Sequence, residues 1–190
     1  LTAKKEIRKE FERIIGVLLT QFNTTIYENR FIAGGALEHF FVALFNSMPG
    51  VNASHRGQTG TRLDLIVEHK GVVASYSIKG IFSGGGTNLV NTRGTGVVEW
   101  DEATIFVVAE NGMYYADPTT IPPKEIAHSG DALVIKVDSL DKVRKKYPQY
   151  FFDIQVPAKA AQVAQESSRV ASREVAAQII EENCKVLRMH

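Results

Sequence analysis

The chain has 190 residues, 44% hydrophobic and 23% charged, enough to bury a core and unlike collagen, low-complexity or disulfide-stapled chains. Its single cysteine, Cys184, excludes an intrachain disulfide and a Cys-rich zinc site, and 22 basic against 21 acidic residues leave a net charge of +1 that names no partner. No apolar run reaches membrane-spanning length, and the short stretch Ile14 to Leu19 has no cleavage pattern after it, so a cytoplasmic chain without signal peptide or membrane contact is expected.

Charge is unevenly spread. Between His39 and Val98 the only acids are Asp64 and Glu68, against five bases (Arg56, Arg62, Lys70, Lys79 and Arg93), a balance that suits an anion. In chain order, Ile7, Phe11, Ile14, Ile15, Leu18, Leu19 and Phe22 recur at helical spacing and predict an N-terminal helix. A second helix is expected from Ala36 to Met48, carrying Glu38 and stopped by Pro49-Gly50. Val51 to Thr61, polar and glycine-containing, reads as a loop.

Leu63 to Glu68 and Val72 to Lys79 then form a predicted hairpin about Lys70-Gly71. A two-residue turn pairs residues whose numbers sum to a constant, so Asp64 faces Ser77, and side-chain alternation sets Lys79 beside Ser77. Ile81 to Gly96, rich in Gly, Ser, Thr and Asn, is expected to be a long mobile loop or a broken helix. Its Gly84-Gly85-Gly86 run lacks the Gly-Lys-Ser/Thr of a P-loop. Thr104 to Ala109 and Met113 to Ala116 flank Asn111-Gly112 as a second hairpin, followed by a strand at Ala132 to Val137 and a short helix from Ser139 to Lys146. Pro157 to Leu187 reads as one long or once-broken helix with Val156, Val163 and Val170 at heptad spacing, packing on the body, on a partner helix or near a groove.

The order helix with Glu38, strand with Asp64, tight hairpin, strand ending in Ser77-Ile78-Lys79, and a further hairpin resembles the PD-(D/E)xK nuclease superfamily, and within it the type II restriction endonucleases, over roughly Ala36 to Val137. The resemblance implies an α/β restriction-endonuclease-like core: a central mixed sheet of about five strands flanked by helices, spanning 1–155, with 156–190 as a C-terminal helical appendage. It implies Asp64 as a metal ligand, Lys79 as the lysine that activates water, and Glu38 as the helical carboxylate many members add. Two positions depart from the pattern: Leu63 stands where proline is usual, and Ser77 where an Asp or Glu is expected. A hydroxyl is a poor ligand for a hard cation, so a substitute carboxylate would be needed, from Glu38 or from Glu99 and Glu102 downstream.

The implied chemistry is hydrolysis of phosphodiesters in double-stranded DNA with Mg²⁺, or Mn²⁺ in its place, held by Asp64, Glu38, Glu99 and the Ile78 carbonyl. Catalysis would involve Asp64, Ser77, Lys79 and Glu38. Arg56, Gln58, Thr61 and Arg62 before the strand, and Thr87, Asn88, Asn91 and Arg93 after Lys79, are the expected DNA contacts, since Arg suits phosphates and guanine edges and Asn or Gln adenine edges. Cutting both strands implies a homodimer. His39, His55 and His69 lack zinc spacing and read as surface residues. Two other functions compete: a catalytically degenerate nuclease fold that binds DNA or protein, which the serine at 77 favours, and a hydrolase with Ser77 as nucleophile and Lys79 as base.

Overall fold

The computed structural model describes residues 4–27, 29–56, 63–91, 99–156 and 169–187. Its elements are α1 (Lys5–Gln21), α2 (Asn29–Asn46), β1 (Val51–His55), β2 (Leu65–His69), β3 (Val72–Ile81), β4 (Gly86–Asn91), β5 (Thr104–Val108), β6 (Gly112–Ala116), β7 (Ile126–Ser129), β8 (Ala132–Lys136), α3 (Val137–Lys146), β9 (Phe151–Asp153) and α4 (Arg169–Asn183). The strands form a six-stranded sheet in the order β1-β2-β3-β5-β6-β9 and a three-stranded sheet in the order β4-β8-β7. Among the described residues only β3 and β5 pair in parallel, and the other pairings are antiparallel. This is the expected α/β class with a central mixed sheet flanked by helices, with one strand more than expected and a second sheet.

Strand alternation explains the layers. All five residues of β5 are buried; Ile105 and Val107 join a core with α1, α2 and α4, while Phe106 and Val108 join a second core with β4, β8 and α3. The helical core is aromatic at its centre, where the Phe11 ring lies 4.7 Å from that of Phe40 and 6.0 Å from that of Phe41. Burying side chains of this kind contributes roughly 1.5 to 3 kcal/mol each, and three together tie α1 to α2. Ala176, Ile179, Cys184 and Leu187 enter the same core, so the described part of the C-terminal segment packs on the body. A Cβ added at Gly35 would lie 3.1 Å from that of Ala176, which shows how closely α2 and α4 approach.

Several predicted boundaries are corrected. The second helix begins at Asn29 rather than Ala36, because Ile32 and Ala33 continue its buried face through Gly34-Gly35. Val51 to His55 is a strand, not a loop: its antiparallel pairing with β2 supplies the ladder that its polar composition conceals. The Asn46 side chain completes β1 from the other side, accepting from the Ala53 N–H at 2.6 Å and donating to its carbonyl at 2.9 Å. Gly86 to Asn91 is likewise a strand, paired with β8, where a long mobile loop or a broken helix was expected; a Cβ at Gly86 would stand 2.4 Å from the Ile135 carbonyl oxygen.

The second hairpin turns through Ala109, Glu110 and Asn111, with Val108 opposite Gly112, rather than through Asn111-Gly112. Glu110 takes the left-handed conformation at φ 70°, and Gly112 is needed where β9 presses close: its Cβ would fall 2.5 Å from the Phe151 ring. β7 and β9 are short and were not foreseen. The final helix is described from Arg169 to Asn183, so the heptad residue Val163 lies outside the described residues. No helix among the described residues is long and apolar enough to cross a membrane.

Candidate active site

The first hairpin closes in the register given by its two-residue turn, from His69 opposite Val72 to Leu65 opposite Tyr76. Lys70 and Gly71 both take positive φ, 52° and 76°, as a type I′ turn requires. β3 runs on past the start of β2, and parallel pairing with β5 holds its far half. Asp64 stands where the two strands part: its N–H donates to the Tyr76 carbonyl, and its own carbonyl accepts from the Arg56 N–H, both at 3.0 Å.

The Asp64 carboxylate turns onto the edge of β3. Its Oδ2 accepts the Ser77 hydroxyl at 3.0 Å and the Ile78 N–H at 2.6 Å. Ser77 donates its own N–H to the Ala103 carbonyl, and Ile81 offers its carbonyl to the Ala109 N–H, so the odd-numbered residues of β3 face β5. By alternation Ile78 points both its N–H and its carbonyl the other way, toward Asp64. Ser77 is 2% exposed with its hydroxyl committed to Asp64, an arrangement that orients the carboxylate and is unlike an accessible nucleophile. The serine-hydrolase alternative therefore has no support in the geometry.

Burial pushes the Asp64 pKa above its ordinary value; the Lys79 ammonium, the Ile78 N–H and the Ser77 hydroxyl oppose the rise, and the Glu38 charge adds to it. Two carboxylates from different elements thus repel each other next to one ammonium. That donor set fits a hard divalent cation: oxygen ligands of like charge whose mutual repulsion an ion would relieve, few enough that an octahedral ion would keep waters. No three His, Cys, Asp or Glu side chains among the described residues stand close enough to share an ion, so Glu99 completes no triad with Asp64 and Glu38. Glu99 lies instead at an exposed position just before Trp100, which is buried in the second core.

Two of the three histidines are not isolated surface residues. His55, at the end of β1, sets its Nε2 3.0 Å from Nδ1 of His39, and its Nδ1 is 3.8 Å from the Glu38 carboxylate. Packing of β1 on α2 makes this contact, which no spacing in the chain announces. Burial, then the neighbouring His55, lowers the His39 pKa, with Glu38 acting against them. His69 is exposed beside the hairpin turn.

Beside Asp64 a cleft of about 260 Å³ opens between the start of α2, the half of β3 that runs beyond β2 and the start of β4. Lys79 and Thr87 line it, as do Thr24, Arg30, Gly34 and Ser83, residues that the sequence motif does not include. The one signal pointing to them is the four-residue spacing of Arg30, Gly34 and Glu38 along α2. Of the expected DNA contacts, Arg56 is exposed next to Asp64 and Asn88 is exposed on β4. Gln58, Thr61, Arg62 and Arg93, and the side chain of Asn91, lie outside the described residues.

No protein-family model matches the chain, and no curated protein matches it. Among solved structures, it is similar to Hjc, a Holliday junction resolvase from Archaeoglobus fulgidus, with a TM-score of 0.38 and 12% identity, covering 64% of this chain and 92% of that one.

Proposed function

We propose that the protein is an endodeoxyribonuclease that hydrolyses phosphodiester bonds in double-stranded DNA, of the sequence-specific type II restriction kind and working as a homodimer. The observation that carries the proposal is the junction of Asp64, Lys79 and Glu38 at the open end of the first hairpin, with Asp64 fixed by Ser77 and Ile78 beside a cleft. Asp64, Glu38 and the Ile78 carbonyl would hold Mg²⁺, or Mn²⁺ in its place, which when bound supplies polarisation of the phosphodiester and a more acidic water. Lys79 orients the attacking water and offsets the negative charge that gathers on the phosphate oxygens. Water adds to phosphorus, the bond to the leaving oxygen breaks, and that oxygen leaves with a proton. Ser77 serves by holding Asp64 in place, so the missing acid at that position is made up in charge by Glu38.

The test is a cleavage assay on mixed-sequence linear duplex and on a branched duplex, with Mg²⁺ or Mn²⁺. Discrete fragments from the linear duplex are expected, lost to background in Asp64→Ala and slowed about 10² to 10⁴-fold in Lys79→Ala. Cutting confined to branched DNA would replace the sequence-specific part of the proposal. Binding without any cutting would replace it with a degenerate, DNA-binding fold.

A further inference from the structure

Arg30, Gly34 and Glu38 follow one another at four-residue steps along one flank of α2. Glu38 is near enough to Asp64 to raise its pKa, whereas Arg30 stands a turn beyond Gly34 and lines the cleft that Lys79 also lines. Gly34 keeps the space between them clear: a Cβ there would meet nothing within 4 Å. The described lining brings together two cations, Arg30 and Lys79, with the hydroxyl-bearing Thr24, Ser83 and Thr87 and no carboxylate.

The guanidinium is set in place by its Nε, which donates to the Thr24 carbonyl at 3.2 Å. With the guanidinium held there and the Lys79 ammonium in the same lining, and no carboxylate to neutralise either, an oxygen-rich anion is the occupant that would balance the charge of the cleft.

We infer that this cleft is a phosphate subsite: Arg30 holds the non-bridging oxygens of a backbone phosphate adjacent to the one that is cut, while Lys79 serves the phosphate that is cut. The assignment of that phosphate to a DNA strand rests on the nuclease proposal; recognition of a phosphate group does not. Arg30 is a binding and positioning residue, fixing the register of the strand so that the neighbouring phosphate reaches Asp64 and Lys79. Free phosphate offers the same oxygens and is the other source of such a group.

Duplex binding is measured with Ca²⁺ in place of Mg²⁺ over a range of salt for the wild type, Arg30→Gln, Gly34→Leu and, as a control for bulk charge, the exposed Lys145→Gln. Arg30→Gln is expected to weaken binding about tenfold at low salt and to flatten the slope of log K against log salt by about 1. Gly34→Leu should weaken binding by filling the cleft without changing charge, and Lys145→Gln should change neither quantity. Thermal melting confirms that each variant is folded.

Unchanged affinity and slope in Arg30→Gln and Gly34→Leu, with the wild type still cutting DNA, would overturn the subsite and leave the nuclease proposal standing. Loss of binding in both variants, with no cutting by the wild type in Mg²⁺, would do the reverse. Saturation by inorganic phosphate at chloride-balanced ionic strength, in a wild type that does not bind duplex, would show a free-anion site and overturn the assignment to a strand.

Discussion

Glu10 and Asp64 are both carboxylates withdrawn into the protein, and each receives two hydrogen bonds at a single oxygen. Glu10, 4% exposed, accepts the backbone N–H groups of Lys185 and Val186 at 2.6 and 2.8 Å, pinning the segment after α4 against α1. Asp64 accepts a hydroxyl and one N–H where β2 and β3 part. Around Glu10 the packing is apolar, with Ile7, Phe11 and Ile14 on its own helix buried. Around Asp64 stand a second carboxylate, an ammonium and an opening. Hydrogen bonds to a buried carboxylate therefore mark neither fold nor function; the surrounding charges and the access decide which it is.

The sharpest way to break this comparison is to neutralise the ammonium: if Lys79→Ala loses cleavage while Glu10→Gln keeps its rate per folded molecule, the two carboxylates are separated by role. Glu10→Gln should instead cost about 1 to 3 kcal/mol of stability, because it weakens two charge-assisted bonds from buried backbone donors. In a chain of this size that is a fall of roughly 2 to 4 °C in melting temperature per kcal/mol, read by calorimetry.

Asp64→Asn should move stability the opposite way. The folded protein raises the Asp64 pKa, so the stability this group contributes is complete below the ordinary carboxylate range and is lost as pH climbs through the raised folded value. At neutral pH the Asn variant should melt higher than wild type, and the difference should vanish once both proteins are measured in acid. A higher melting temperature joined to lost cleavage is the signature of a site held at the expense of stability. Equal or lower melting at neutral pH would remove Asp64 from that class.

The smallest effect sharpens the picture within the site. The acid limb of the pH–rate profile should follow ionisation of Asp64, and its midpoint should rise slightly in Ser77→Ala, where a bond to the ionised form is lost. Glu38→Gln should lower that midpoint, since the Glu38 charge adds to the upward shift. A midpoint that ignores both substitutions would dissociate the limb from Asp64.

The first hairpin was legible because its information is local: a two-residue turn fixes the register, and the register alone brings Ser77 to Asp64. Other parts depend on distant partners. Asn52, Ser54 and His55 look like loop residues until β2 and Asn46 bracket them, and Gly86 to Asn91 looks like a flexible stretch until β8 pairs with it. In the site, Asp64 and Lys79 share one supersecondary unit and could be placed from spacing. The link from Glu38 to His55, and the position of Arg30 in the cleft, depend on how α2 lies across the sheet, which no short pattern encodes.

The amide of Asn46 has a further consequence. By bonding both the N–H and the carbonyl of Ala53, it occupies the outward-facing groups at the middle of β1, where another chain would otherwise add a strand. One side chain from the end of α2 thus blocks the middle of this edge strand. Strand addition at the middle of β1 would therefore first have to displace the Asn46 amide from both groups of Ala53.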